Sequence, residues 1–314
     1  MRLRNLLYDR QVLKTRTLAA PVVSVGNISV GGTGKTPFVI FLGELLSERG
    51  IAFDVLSRGY GRGSRGVLEV RADGSPREFG DEPLLIARRL KCPVVVGESR
   101  YEAGRFAERA FGPRLHLLDD GFQHRSLGRD FDIVLVTTED TRDRLLPAGR
   151  LREPPASLAR ADAVVLTDDT DRSRLPLGTK PVWHVRRSLS ISDPPARPLV
   201  FCAIGRPRQF LGQLEAAGIE PVALKIYRDH HAYGENDVRE LIRLGRAQHV
   251  DGFVTTEKDA INLGPALPAL GHVAVARATV ELSKPDDVLN SILGVIQERR
   301  RLHETIPVGV RPES

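Results

Sequence analysis

Residues 28–36 read ISVGGTGKT, three glycines and a Lys-Thr pair set between an apolar run and a helix-forming stretch. Pro21–Val25 (PVVSV) has the apolar, β-branched character of a short buried strand. Gly26–Gly34 is a glycine-rich turn, and Lys35-Thr36 open a helix carrying Phe38, Phe41, Leu42, Leu45 and Leu46. Strand, glycine loop, Lys-Thr and helix are the parts of a phosphate-binding P-loop. Glycine lets successive backbone N–H groups curl around an anion, and the helix N-terminus adds its positive dipole end. The loop positions Ser29, Val30, Gly31, Gly32, Thr33 and Gly34 are expected to wrap a nucleotide's phosphates. Lys35 would reach the β- and γ-phosphates, and the Thr36 hydroxyl would hold Mg²⁺. The usual G-x-x-x-x-G-K-[ST] pattern carries glycine where this chain has Ser29; Gly31, Gly32 and Gly34 supply the freedom instead. Pro37 falls in the first helical turn, where a missing N–H costs little.

The rest of the first half repeats strand and helix. Phe53–Arg58 reads as a strand and leads into GYGRGSRG. A hairpin is expected around Ala72-Asp73-Gly74, between Val67–Val70 and Phe79. Gly80-Asp81-Glu82-Pro83 opens a helix, Pro93–Val96 is a strand, and Ser99 caps a helix to Phe111. Leu115–Leu118 is a buried strand ending in Asp119-Asp120-Gly121, the Walker B pattern that brings a carboxylate to the Mg²⁺ shell. Gln123, His124 and Arg125 follow, so polar groups gather at a strand's carboxyl end, where open α/β sheets bind ligands. Phe131–Val136 and Ala163–Thr167 are further strands; the proline-rich LLPAGRLREPP between them offers Arg150, Arg152 and Glu153 to a phosphate or metal. The alternation predicts a doubly wound, mostly parallel P-loop NTPase-like sheet over 21–175.

Residues 176–198 are proline-rich, with a short strand at Val182–Arg186, and read as a linker. A second, smaller α/β unit occupies 199–314. Its strands are Leu199–Ile204, Val222–Ile226, Gly252–Thr255 and Val273–Ala276, and Pro285–Arg300 is its last helix. In Asp229-His230-His231, adjacent histidines would point to opposite faces. TTEKDA (255–260) has the wrong order for the guanine-reading [NT]KxD, so GTP specificity finds no support.

Residues 1–20 have helical, amphipathic character, with Leu3, Leu6 and Leu7 on one side and Arg2, Arg4, Arg10, Lys14 and Arg16 against the single acid Asp9. Two readings stand open: a helix lying on an anionic membrane surface, or a basic helix packed on the domain. The net charge of +6 suits an anionic partner. Two distant cysteines, Cys92 and Cys202, without a CxxC or Cys/His cluster, argue against a disulfide framework or zinc site. A reducing cytoplasm fits. No apolar run is long enough to span a bilayer, and the N-terminus lacks a signal-peptide core.

VGNISVGGTGKTP, SRGYGR, GDEP, ESRYEAG, DDGFQHRSLGRD, LLPAGRLREP, DHHAY and TTEKDA occur in the order of the tetraacyldisaccharide 4'-kinases, and from about residue 10 to 300 the chain resembles that family. The resemblance extends to Ser29. It implies ATP-dependent phosphorylation of the 4'-hydroxyl of a tetraacyl glucosamine disaccharide 1-phosphate, giving lipid IVA in lipid A synthesis. It implies ATP and Mg²⁺ as cofactors, work at the cytoplasmic face of the inner membrane, and two Rossmann-like domains joined by a strand linker with the site in their cleft. By motif, Asp81 of GDEP resembles the catalytic base, paired with the histidine of DHH, here His230 rather than His231; Lys35 joins them as a catalytic group. Arg58, Tyr60, Glu82, Arg100, Gln123 and Arg152 resemble residues that line the substrate site. Asp119, Asp120 and Glu153, with Thr36, resemble the groups near the metal.

The family begins with a longer hydrophobic helix; this chain keeps its basic, amphipathic end, which implies peripheral membrane binding. No obligate protein partner is evident. Two rival classes are a P-loop GTPase or metallochaperone and a basic nucleic-acid-binding ATPase. The first wants a guanine motif or Cys/His ligands. The second wants aromatic stacking positions in a basic groove, whereas aromatics are 5% and scattered, so nucleic acid is not expected as a partner.

Overall fold

Twelve strands form one ordered ladder in the computed structural model, which describes residues 2–167 and 170–305. The side chains of Arg2, Leu3 and residues 302–305 lie outside the described residues, as do Met1 and 306–314. In chain order the elements are α1 (Arg2–Asp9), β1 (Val22–Asn27), α2 (Lys35–Glu48), β2 (Phe53–Ser57), β3 (Leu68–Glu69), α3 (Pro76–Phe79), α4 (Asp81–Leu90), β4 (Val94–Val96), α5 (Arg100–Phe111), β5 (Leu115–Asp119), β6 (Phe131–Val136) and β7 (Ala163–Thr167). They continue with β8 (Val182–Ser190), β9 (Pro198–Cys202), α6 (Pro207–Ala216), β10 (Ala223–Ile226), α7 (Glu235–Ala247), β11 (Gly252–Thr256), α8 (Glu257–Leu263), β12 (Val273–Leu282) and α9 (Pro285–Thr305).

The first half is parallel in the order β7-β6-β1-β5-β2-β4, with β3 antiparallel at the edge. β1 is buried at every residue, as a central strand covered on both faces must be. α2 lays Phe38, Leu42 and Leu46, each no more than 1% exposed, on that sheet; burying each contributes roughly 1.5–3 kcal/mol. Gly26 permits a close approach: a Cβ there would sit 2.5 Å from Phe122 Cβ and 2.8 Å from its backbone nitrogen. The second half is parallel in the order β10-β9-β11-β12. β8 joins the halves, running parallel to β7 through Val182–Val185 and antiparallel to β12 through Val185–Ser190. α9 crosses back, and Val288, Leu289, Ile292 and Ile296 pack into the core beneath β1 and α2.

Several local expectations need correction. The N-terminal helix stops at Asp9, not near residue 20: Gln11 is left-handed (φ 57°), and Arg16 bridges to Leu127 instead. No hairpin joins 67–70 to Phe79. Leu68 pairs with Val96 of β4, and Ser75-Pro76 starts α3, with the Ser75 hydroxyl accepting from the Glu78 N–H. The linker strand runs to Ser190 and β12 to Leu282, because each supplies the other's ladder partners from a distant part of the sequence.

The carboxyl ends of β1, β5 and β2 in the first half and β9, β10 and β11 in the second line one cleft of about 810 Å³. The halves touch across it. A Cβ on Gly205 would meet Asp229 Oδ2 at 3.0 Å and the Gly32 nitrogen at 3.3 Å.

Candidate active site

The P-loop rises from β1, and Gly34 ends it in the left-handed conformation (φ 91°) that a side chain resists. From there α2 starts at Lys35, which leaves its first N–H groups facing the cleft. Asn27 Nδ2 donates to Thr33 Oγ1 at 2.8 Å and holds the loop from below. Ser29 is buried inside the turn and bridges to Leu151. That contact accounts for a residue larger than glycine: the loop's first position is a strand-like support and does not line the cleft. Gly31, Gly32, Gly34, Lys35 and Thr36 all line the cleft, together with Val30 and Thr33.

Below the loop lies a charged floor. Lys35 Nζ is 3.5 Å from Asp120 Oδ1. Arg152 grips the same carboxylate with two bonds, 2.8 Å to Oδ1 and 3.1 Å to Oδ2, and also reaches Asn27 Oδ1. Burial acts to raise the Asp120 pKa, but Lys35 and Arg152 overcome it and hold the carboxyl far below the usual range. Asp119 differs. It is 3% exposed, its Oδ2 accepts from the Ser57 hydroxyl at 3.3 Å, and its Oδ1 has no hydrogen-bond partner. Burial, then Glu82 and Asp120, push its pKa up. A buried acid with an orphaned oxygen beside the P-loop suits a cation, so the residues fit Mg²⁺. Among the described residues no three His, Cys, Asp or Glu side chains converge to hold a metal by themselves. Glu153 is committed otherwise: Oε2 accepts from Asn5 (2.6 Å) and Arg160 (2.9 Å), and Oε1 from Gln123 (3.1 Å). Through Asn5 and through Arg4, whose guanidinium donates to the Gln123 carbonyl, α1 packs against this floor.

Arg100 is 2% exposed and donates to the Gly97 carbonyl, and burial pulls it down to about 10. His124, lowered to about 4 by burial and by Arg100 and Arg58, is neutral at physiological pH. Both line the cleft with Arg58, Tyr60, Glu82 and Gln123.

Across the cleft, Asp81 opens α4 and is 5% exposed. Its Oδ2 meets His230 Nδ1 at 3.1 Å, Asn262 Nδ2 at 3.2 Å and Lys258 Nζ at 3.6 Å, and all three partners come from the second half of the chain. Burial opposes ionisation, but the His230 bond and the Lys258 charge outweigh it and bring Asp81 to about 2. In return the Asp81 bond raises the His230 pKa. The ring of Tyr60 lies 5.1 Å from that of His230. His230 lines the cleft, whereas Asp81 sits one layer behind it. His231 turns away, 3.1 Å from Asp237 and stacked on Tyr227.

Three basic residues outside the sequence expectations also line the cleft: Lys258, Arg187 and Arg206. Arg187 Nη1 donates to the Thr33 carbonyl at 3.4 Å from β8. The sequence signal for Lys258 was present in TTEKDA, a charged cluster directly after a strand; the two arginines had none.

The profile of the family described as tetraacyldisaccharide-1-P 4'-kinase (LpxK) matches residues 1–297. A tetraacyldisaccharide 4'-kinase of Koribacter versatilis is 50% identical over 307 residues, 95% of each chain. That of Geobacter metallireducens is 37% identical, with 93% of each chain covered. A crystal structure of LpxK from Aquifex aeolicus in complex with ATP is similar at a TM-score of 0.74 and 34% identity, over 94% of each chain.

Proposed function

This chain belongs to the tetraacyldisaccharide-1-P 4'-kinase family, and from that premise we propose that its Asp81–His230 pair takes the acceptor's proton while the P-loop carries ATP. The enzyme is an ATP-dependent lipid A 4'-kinase. In the reaction, the acceptor oxygen of a tetraacyl disaccharide 1-phosphate forms a bond to the γ-phosphorus, and the bond to the β–γ bridging oxygen breaks. ADP departs with that electron pair, and the hydroxyl proton passes to the pair. Phosphoryl transfer asks mainly for positioning and charge neutralisation. The P-loop amides and Lys35 neutralise the transferring group, and Arg152 keeps Asp120 fixed beside Lys35. Thr36 and Asp119 would hold Mg²⁺, which would supply further charge neutralisation at the phosphates. Arg58, Tyr60, Arg100 and Gln123 form the acceptor's side of the cleft, with Glu82 near the reacting hydroxyl.

The observation that carries this reading is the 3.1 Å contact of Asp81 Oδ2 with His230 Nδ1, made between two halves that face one cleft with the P-loop. A base assembled from both halves exists only while they are closed together, which ties proton acceptance to an enclosed site.

The membrane reading belongs to the same proposal. Among the described residues no helix is long and apolar enough to cross a membrane. α1 and the segment after it expose Leu6 (42%) and Val12 (65%) beside Arg10 and Lys14. That combination suits peripheral contact with the anionic cytoplasmic leaflet of the inner membrane, next to the entrance for a lipid substrate.

The test is phosphoryl transfer from ATP to the acylated disaccharide 1-phosphate, run beside ATP hydrolysis with RNA and with DNA. Transfer to the disaccharide without nucleic-acid stimulation is expected. Stimulated hydrolysis with no transfer would return the chain to the nucleic-acid ATPase class.

A further inference from the structure

Lys258 is the second residue of α8, and its side chain reaches the junction of the two halves. Its ammonium lies 3.3 Å from His230 Nε2, 3.4 Å from Asp229 Oδ1, 3.5 Å from Glu82 Oε1 and 3.6 Å from Asp81 Oδ2. A lysine ammonium carries donors and no acceptor. Its contact with Nε2 therefore requires that nitrogen to be the one without a proton. The ring proton then sits on Nδ1, which faces Asp81 Oδ2 at 3.1 Å. Which nitrogen is protonated in a neutral histidine is set by the partner of the other.

We propose that Lys258 is a positioning residue for the reaction: it fixes the neutral His230 ring as the Nδ1–H tautomer, with that proton turned to Asp81 and Nε2 left bare, so that the pair meets the acceptor with Asp81 ionised. The inference rests on the reading of Asp81–His230 as the proton acceptor. Two acids flank the ring, Asp81 from α4 and Asp229 from its own loop, while Glu82 meets the Lys258 ammonium rather than the ring. Asp81 and Asp229 each favour a protonated imidazolium. Asn262 binds Asp81 and adds no charge, and the Tyr60 ring packs beside His230. The cation in this set is Lys258. Without it, the ring would more readily hold a proton at both nitrogens and share the Asp81 charge in an ion pair, leaving a weaker acceptor. The Asp81 bond raises the His230 pKa and prevails, while burial and Lys258 act to lower it, so Lys258 limits how far the ring is drawn toward protonation. With Lys258 only 15% exposed, water screens this effect little.

The alternative is that Lys258 merely ties α4 to the second half. The two roles separate in an imidazole titration. In the full chain with ¹⁵N-labelled histidine and no nucleotide, the neutral His230 ring should show its proton on Nδ1. Lys258→Met should raise the His230 pKa by at least about one pH unit, the effect of removing a unit charge some 3.3 Å away even at nearly the dielectric of water. The same change should move the neutral ring toward Nε2–H. Lys258→Arg, which keeps charge and donors, should stay close to the unsubstituted chain, and Lys258→Gln serves where the Met variant does not fold. Turnover by Lys258→Met should fall at least about 10-fold with KM for ATP little changed, as expected for an effect confined to the chemical step. Its kcat should also need a higher pH. A folded Lys258→Met or Lys258→Gln whose His230 titrates as before would overturn the inference. Asp81→Asn in the same assay separates the two layers. Loss of turnover there with an unmoved His230 in Lys258→Met rejects the role of Lys258 alone. Normal turnover in Asp81→Asn rejects the pair, and the role of Lys258 with it.

Discussion

Replacing Arg206 with Met should loosen the closed arrangement of the two halves by a calculable amount. Arg206 follows β9 and crosses to the end of β6. Nη1 lies 3.0 Å from Thr137 Oγ1 and 3.1 Å from Glu139 Oε2, and Nη2 lies 3.5 Å from Asp140 Oδ1. Arg206 is 8% exposed and Asp140 1%. Glu139 faces solvent, so its ion pair contributes about 0–1 kcal/mol. Asp140 would lose its cation but keep the Thr137 backbone N–H at 3.0 Å. The cost then falls at or below the foot of the range for a broken buried ion pair, about 2–3 kcal/mol. Methionine retains the packing of the aliphatic stem. With an unfolding entropy of roughly 2.1 cal/mol/K per residue, a chain of this length loses ~3–5 °C in Tm for that cost. Calorimetry gives the Tm, and hydrogen exchange at 137–141 gives the local opening. Glu139→Gln should move the Tm by no more than about 1.5 °C on the same argument. If Arg206→Met melts with the unsubstituted chain and exchange at 137–141 is unchanged, the contact between the halves does not depend on this arginine.

Other predictions follow from the same contacts. Lys35→Ala and Thr36→Ala should each lower turnover at least about 10²-fold in folded protein, the scale of lost transition-state charge stabilisation; near-normal turnover by Lys35→Ala would remove the P-loop assignment. Asp81 raises the His230 pKa, so the protonated ring adds stability that is fully present below its ordinary value and is lost as pH rises through the folded one. The stability deficit of His230→Gln in urea should therefore be larger at pH 5.5 than at pH 9, and an equal deficit would contradict the pairing. Binding to anionic vesicles should weaken with salt and on deletion of residues 1–16, since each basic side chain near the leaflet contributes on the order of 1 kcal/mol; salt-insensitive binding would move the membrane contact elsewhere.

Elements with local signals were legible in the sequence. The apolar run before GGTGKT, the Ser99 cap and the acidic end of β5 each state their structure within a few residues. The long pairing of β8 with β12 was not, because RRSLS alternates weakly and its partners lie far along the chain. The end of α1 was hidden for a related reason. The helical pattern continues past Asp9, but the backbone of Arg16 is engaged elsewhere: its N–H donates to the Ser126 carbonyl, and its carbonyl accepts from the Gly128 N–H in the loop before β6. In the cleft, motifs named the residues that one strand end presents. Resemblance paired Asp81 with His230 across the cleft, but nothing in the motifs revealed that Asn262 and Lys258 also reach Asp81 from the second half. Lys258 was passed over because TTEKDA was weighed as a base-reading motif, whereas its lysine matters through a histidine 28 positions earlier.

The central claim is that Asp81 and His230 act as one unit. The direct measurement is a double-mutant cycle on kcat for phosphoryl transfer to the acylated disaccharide, with Asp81→Asn, His230→Gln and the two combined. Members of one catalytic unit are not additive. The double variant is therefore expected to be little slower than the slower single one, with KM for ATP nearly constant throughout. Two losses that multiply in full would show that the residues act separately and that their contact across the cleft is not the base.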